Sequence, residues 1–92
     1  MKATAEIQVV PIGEGVSVRP QVERAVSILR QAGLHAETHA AGSDVEGDLD
    51  DILRAVLRIH EELHAAGTVR LLTYVKIETR TDKTPTLAAK RL

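Results

Sequence analysis

The chain contains no cysteine, no phenylalanine and no tryptophan, and its single aromatic residue is Tyr74. The missing cysteines exclude a disulfide scaffold, a thiolate zinc site, an iron–sulfur cluster and a cysteine nucleophile. Without large rings, a core must be assembled from Val, Ile, Leu and Ala, through many small contacts rather than a few anchors. Long apolar runs are also missing. None approaches the ~18 residues of a membrane-spanning helix, and Met1 to Pro11 has one basic residue and no signal-peptide architecture. The expectation is a soluble cytoplasmic protein with no membrane partner. Excess charge of one sign is absent as well, since 12 scattered basic residues face 13 acidic ones. That leaves no electrostatic footprint for a phosphate backbone and, with one aromatic, no stacking platform for bases, so nucleic acid is not an expected partner.

At 92 residues the chain reads as a single domain, 1–92, whose small core makes self-association expected. Strict alternation opens it: Ala3, Ala5, Ile7 and Val9 fall on one side of a strand, Lys2, Thr4, Glu6 and Gln8 on the other. Pro11 and Gly13-Glu14-Gly15 are expected to end this strand, with Ser17 as N-cap of a helix. Val18, Val22, Ala25, Val26, Leu29 and Ala32 then recur at helical spacing until Gly33. Ala36, Thr38 and Ala40, followed by a short stretch centred on Val45, predict a hairpin. Asp48, Asp50 and Asp51 mark the start of a second helix, where the dipole favours negative charge, and Ile52, Val56, Ile59 and Leu63 carry its stripe to Gly67. Val69 to Glu78 alternate as a last strand, and Arg80 to Leu92 read as a loop around Pro85 with a helical turn. Strand, helix, hairpin, helix, strand is the βαββαβ order of a ferredoxin-like α+β sandwich: a four-stranded antiparallel sheet with both helices on one face.

His60-Glu61-Glu62-Leu63-His64 is a literal H-E-x-x-H, which Gly67 extends toward a zinc-protease signature. On a helix, two histidines four residues apart share a face and converge on one metal, with the glutamate activating its water. The third ligand belongs three residues past the glycine, and Arg70 stands there, permanently protonated and unable to bind zinc. As plain helix residues, His60 continues the edge of the apolar stripe and His64 suits the C-terminal end of the dipole. No metal or cofactor is therefore expected, and zinc hydrolysis ranks last among the readings. Gly13-Glu14-Gly15 lacks the ending of a phosphate loop, and Ser17, Ser27 and Ser43 lack the context of a nucleophile, so no enzyme is expected.

Unbroken alternation places Glu6, Gln8, Glu37, His39, Asp44, Glu46, Leu72, Tyr74, Lys76 and Glu78 on the sheet face that has no helix. A solvated outer face is the plain reading of such residues in an antiparallel sheet. Two details point further. The only aromatic and Leu72 share this face, and with strand order fourth-first-third-second Glu6, Glu46 and Lys76 become neighbours. Two such faces packed together would enclose a polar pocket for a small cationic or hydrogen-bonding ligand.

Four segments carry a resemblance across nearly the whole chain: Ala5-Glu6-Ile7-Gln8-Val9-Val10-Pro11-Ile12-Gly13, Gly42-Ser43-Asp44-Val45-Glu46-Gly47-Asp48, His60-Glu61 to Ala66-Gly67, and Val75-Lys76-Ile77-Glu78-Thr79-Arg80-Thr81-Asp82-Lys83. In this order and spacing they resemble the small thiamine-binding protein family, the YkoF-like group. The resemblance implies a ferredoxin-like domain that assembles through its sheets into homodimers and homotetramers. It also implies binding of thiamine or its hydroxymethylpyrimidine moiety without chemistry. Thiamine offers a cationic thiazolium and an aminopyrimidine. Glu46 is then the expected carboxylate, with Glu6 and Glu37 as further acceptors or counter-charges. Ser43 stands at the family's hydroxyl position to hydrogen-bond the pyrimidine, and Tyr74 is available to stack on a ring, where a cation gains about 0.5–2 kcal/mol. Lys76 and Arg80 match family positions, to neutralise carboxylates or to hold a phosphate ester or the tail. An ion pair between Glu46 and Lys76 accounts equally well for those two residues. Ala36 replaces a tyrosine common among relatives, and Ala40-Ala41 a Pro-Met pair, which bears on the identity of the ligand. An oligomeric interaction protein with no ligand is the alternative reading of the same face.

Overall fold

A computed structural model describes residues 1–92. The opening alternation is realised as β1 (Lys2–Ile12), with Ala3, Ala5 and Ile7 buried. The strand runs past Pro11, which sits opposite Leu71 of the last strand. Beyond Ile7 the other side of β1 has no partner, and a residue without an N–H is tolerated where a strand becomes an edge. Helix α1 (Arg19–Gln31) follows, capped at Val18 without a side-chain bond. Ser17 is thus not its cap; Pro20 in the first turn, where a missing N–H breaks no intrahelical bond, marks the start instead. Gly33 at φ +81° turns the chain out of α1, and Leu34 N–H closes on Leu29 O at 3.3 Å.

The predicted hairpin is β2 (His35–His39) and β3 (Gly42–Asp48). Helix α2 (Leu49–Ala65) carries Asp50 and Asp51 in its first turn, at the positive end of its dipole. Asp48 makes no side-chain cap there and pairs with Lys2 at 3.4 Å. The final strand is β4 (Arg70–Thr79), and a 3₁₀ turn, Ala88–Lys90, lies in the tail.

Strand order is β2-β3-β1-β4, all neighbours antiparallel, which is the ferredoxin-like sandwich. Between sheet and helices lie Ile28, Leu29, Val45, Ile52 and Ile59, all under 2 % exposed. Each such side chain contributes roughly 1.5–3 kcal/mol on burial. Small residues on both layers, Ala3 and Ala5 on β1, Ala25 on α1 and Ala55 on α2, let the aliphatic chains interlock where no ring is present to fill space. A Cβ on Gly47 would lie 2.5 Å from Leu34 Cδ2 and would push that side chain aside, whereas one on Gly42 would lie 2.9 Å from the Ile7 backbone carbonyl, which cannot turn away.

The register sets the opposite face. Thr4 lies between Glu46 and Glu78, Glu6 between Asp44 and Lys76, and Gln8 beside Tyr74. After β4 the tail does not leave the molecule. It folds back over this face, burying Pro85, and Thr4 is only 4 % exposed although it points away from the helices.

Candidate functional site

The tail is held by three carboxylates of the helix-free face. Glu46 Oε1 accepts the Leu87 N–H at 2.7 Å, Glu78 Oε1 accepts Lys90 Nζ at 2.5 Å, and Glu37 Oε2 accepts Arg91 Nη2 at 2.5 Å. Between tail and sheet opens a cleft of ≈ 380 Å³, whose floor is Thr4, Glu6 and Asp44 and whose walls carry Glu37, Lys76, Glu78, Leu87, Lys90 and Arg91. This volume lies within the range of small-molecule sites. A wider groove of ≈ 910 Å³ runs along α1 past Val22, Val26 and Arg30. In that groove Arg19 pairs with Glu23 at 2.8 Å and the Arg30 guanidinium is turned to the Ala36 carbonyl at 3.3 Å, whereas several charged groups converge on the sheet face.

Electrostatics divide the cleft. The carboxyl of Glu37 is held below the ordinary glutamate range, first by the hydrogen bond from His35 and then by the Arg91 guanidinium. Lys90 does the same for Glu78 by donating to it. Glu6 and Asp44, which the tail does not reach, face each other in register on β1 and β3. Lys76 Nζ stands 3.7 Å from Glu6 Oε1. The cleft carboxylates that the tail leaves open to a cationic ligand are therefore Glu6 and Asp44, whose neighbours are Lys76 and His39.

His39 lies beside them, its Nε2 3.1 Å from Asp44 Oδ1 and 3.6 Å from Glu6 Oε2. One nitrogen and two oxygens, all within 4.8 Å of one another, form a set able to surround a cation. The ring is arranged for hydrogen bonding, however. Ala41 N–H donates to Nδ1 at 3.3 Å, which puts the proton of the neutral ring on Nε2, facing the carboxylates. His60 and His64 of the H-E-x-x-H segment are elsewhere, and no third donor joins them. His60 Nε2 shares a 2.7 Å hydrogen bond with the Thr73 hydroxyl, and His64 Nδ1–H donates to Thr68 O at 2.7 Å. Both rings dock α2 against β4 and the loop before it.

Against this geometry stand the sequence comparisons. The sequence model of a family described as thiamine-binding protein matches residues 5–91. The chain belongs to this family. A UPF0045 protein of Synechocystis is 39 % identical over 98 % of this chain and 74 % of its own length. A UPF0045 protein of Methanocaldococcus jannaschii is 36 % identical over 97 % of this chain and 88 % of its own. The crystal structure of that protein superposes with a TM-score of 0.90, covering 97 % of this chain and 91 % of the other. A domain from Bacillus cereus, 29 % identical, superposes at 0.85 over 98 % and 86 % of the two chains.

Within this thiamine-binding protein family framework, the residues singled out in the sequence separate into groups. Glu6, Glu37 and Lys76 line the cleft. Glu46 lies under the tail, engaged by Leu87, and Lys76 pairs with Glu6 rather than with Glu46. Tyr74 shares the face but lies outside the cleft, 55 % exposed beside Gln8. Arg80 is past the end of β4, donating to Asp82 at 2.8 and 2.5 Å. Ser43 is not brought to this face at all. It pairs with Ile7 in register, is 5 % exposed toward the helices, and its Oγ lies 3.3 Å from Thr38 Oγ1. Alternation already indicates this, because Ser43 is two residues from Val45 and shares its side. His39, Asp44 and Glu78 were legible as face residues by the same alternation, though not as site residues. Leu87, Lys90 and Arg91 gave no signal.

Proposed function

We propose that the protein binds thiamine or its hydroxymethylpyrimidine moiety in the cleft of the helix-free sheet face, without transforming it, and does so as a homo-oligomer. The observation that carries this reading is the match of residues 5–91 to the thiamine-binding protein family. The chemistry of the cleft supports it. Glu6 and Asp44 offer negative charge to a thiazolium and acceptor oxygens to an aminopyrimidine, and Thr4 lies in the lining beside them. Self-association draws support from the rest of the face, where Leu72 and Tyr74 are 43 % and 55 % exposed next to the unpartnered edge of β4. A stacking role for Tyr74 belongs to an assembly in which a second copy brings a ring or a ligand to it.

Titration calorimetry with thiamine, its phosphates and the free pyrimidine tests the ligand. Binding of one of them well below millimolar is the expected result. No binding tighter than ~1 mM, about 4 kcal/mol, removes the reading. It would leave an oligomeric interaction protein without a ligand, a reading favoured by the tail itself, whose donors already satisfy Glu37, Glu46 and Glu78 internally.

A further inference from the structure

The tail changes the charge of the cleft it covers. Among the lining residues, Glu6, Glu37, Asp44 and Glu78 are anionic and Lys76, Lys90 and Arg91 cationic, a net charge of −1. Without Lys90 and Arg91 the same lining would carry −3. These two side chains are also under-used as donors. Lys90 has three N–H groups and donates to Glu78; Arg91 has five and donates to Glu37. Both remain substantially exposed at the cleft, 43 % and 60 %, and Lys76 across from them is 83 % exposed. A cluster of cations with free donors at the mouth of a cleft floored by carboxylates suits a ligand with positive charge at one end and an anionic ester at the other.

We propose that Lys90 and Arg91 determine the charge preference of the cleft, lowering its affinity for a bare organic cation and favouring one that carries a phosphate ester. The inference rests on the thiamine reading above and names which form the site takes. A monocation such as thiamine entering the cleft meets two carboxylates already occupied by the tail and is repelled by the ammonium and guanidinium that occupy them. The monophosphate ester brings its thiazolium to Glu6 and Asp44 and its phosphate to the unused N–H groups of Lys90, Arg91 and Lys76. The placement of these cations is part of the fold, because the Leu87 N–H bond to Glu46 and the burial of Pro85 fix the tail just before them.

The test is calorimetric titration of the full chain with thiamine and with thiamine monophosphate, for the native protein, for the Lys90→Gln/Arg91→Gln double variant and for Lys83→Gln. Lys83 lies in the same tail but does not line the cleft. The native protein is expected to bind the monophosphate more tightly. The ratio of the two affinities should fall by about tenfold or more in the double variant, given two unit charges removed within several ångströms of the ligand. Lys83→Gln should leave that ratio unchanged. Raising salt should shrink the native preference, a readout that needs no substitution. Affinities that keep the same ratio in the double variant, or a ratio shifted equally by Lys83→Gln, overturn the proposal while leaving the thiamine reading in place. If neither compound binds any of the proteins, the thiamine reading fails and this inference fails with it.

Discussion

Glu46 on β3 accepts the backbone N–H of Leu87 at 2.7 Å, so a carboxylate in an inner strand holds the C-terminal tail on the sheet. The carboxylate expected to meet the ligand is thus a structural anchor of the cleft wall. A charge-assisted bond of this kind contributes about 1.5–3 kcal/mol to the local order of the segment it holds. Glu46→Ala should free the tail, abolishing amide hydrogen-exchange protection at Leu87 while the core strands stay protected. Glu46→Gln keeps an acceptor oxygen and should retain most of that protection. Equal loss in both variants would mean that charge, not the directed bond, holds the tail.

Acid should release the same segment. The carboxyls of Glu37 and Glu78 lie below their usual value of 4.5, through His35 and Arg91 in one case and Lys90 in the other. A carboxylate with a lowered pKa in the folded state adds stability above its unfolded value and loses it as pH falls through its folded value. Tail protection should therefore be constant from neutral pH down to the ordinary glutamate range and disappear below it. Both groups are exposed, so the global unfolding transition should shift little in this window. Proton-exchange profiles of Leu87 to Arg91 across pH 7 to 3 measure it, and release well above pH 5 would contradict the assignment.

How much of the molecule was legible in the sequence depends on the range of the interactions. Alternation in β1, β3 and β4 is a local pattern, and it placed Glu6, Asp44 and Lys76 on one face without reference to strand pairing, as the stripe of α2 marked the helix. The usual strand order then made Glu6 the neighbour of Lys76, but the register puts Asp44 rather than Glu46 opposite Glu6. Ser43 was drawn toward the ligand by a family motif, although its parity with Val45 puts it under the helices. The tail was legible as a loop with a turn near Ala88–Lys90, but its docking on the sheet was not. Its anchors join residues 41, 12 and 54 apart in the chain, and Leu87 contributes a backbone N–H, which carries no side-chain signature.

The H-E-x-x-H segment should behave as packing, not as a metal site. His60 bonds Thr73 across the α2–β4 interface at 2.7 Å, so His60→Ala should cost about 0.5–1.5 kcal/mol in denaturant unfolding plus a small packing loss. Protein purified without a histidine tag should contain less than stoichiometric zinc, and the substitution should not change that content. Stoichiometric zinc lost on His60→Ala would reverse the conclusion.

Self-association should depend on the part of the sheet that the tail leaves bare. The tail covers the Thr4 end of the face, whereas Gln8, Leu72 and Tyr74 at the other end are exposed. Beside them β4 presents its outer backbone edge over Arg70–Thr79, with no strand beyond it. An exposed edge flanked by apolar side chains is a template for another copy, and a 92-residue core built without large rings gains from added burial. Light scattering should give a mass above one chain for the native protein. Leu72→Glu with Tyr74→Glu should bring it toward the monomer, because each chain of a two-fold interface would bring the added charge against its own symmetry mate. The cleft lies at the other end of the face, so the hydrogen-exchange protection of Leu87 should be unchanged in that variant. Loss of the tail's protection together with the assembly would mean that the second copy, and not the anchors on Glu37, Glu46 and Glu78, keeps the tail in place.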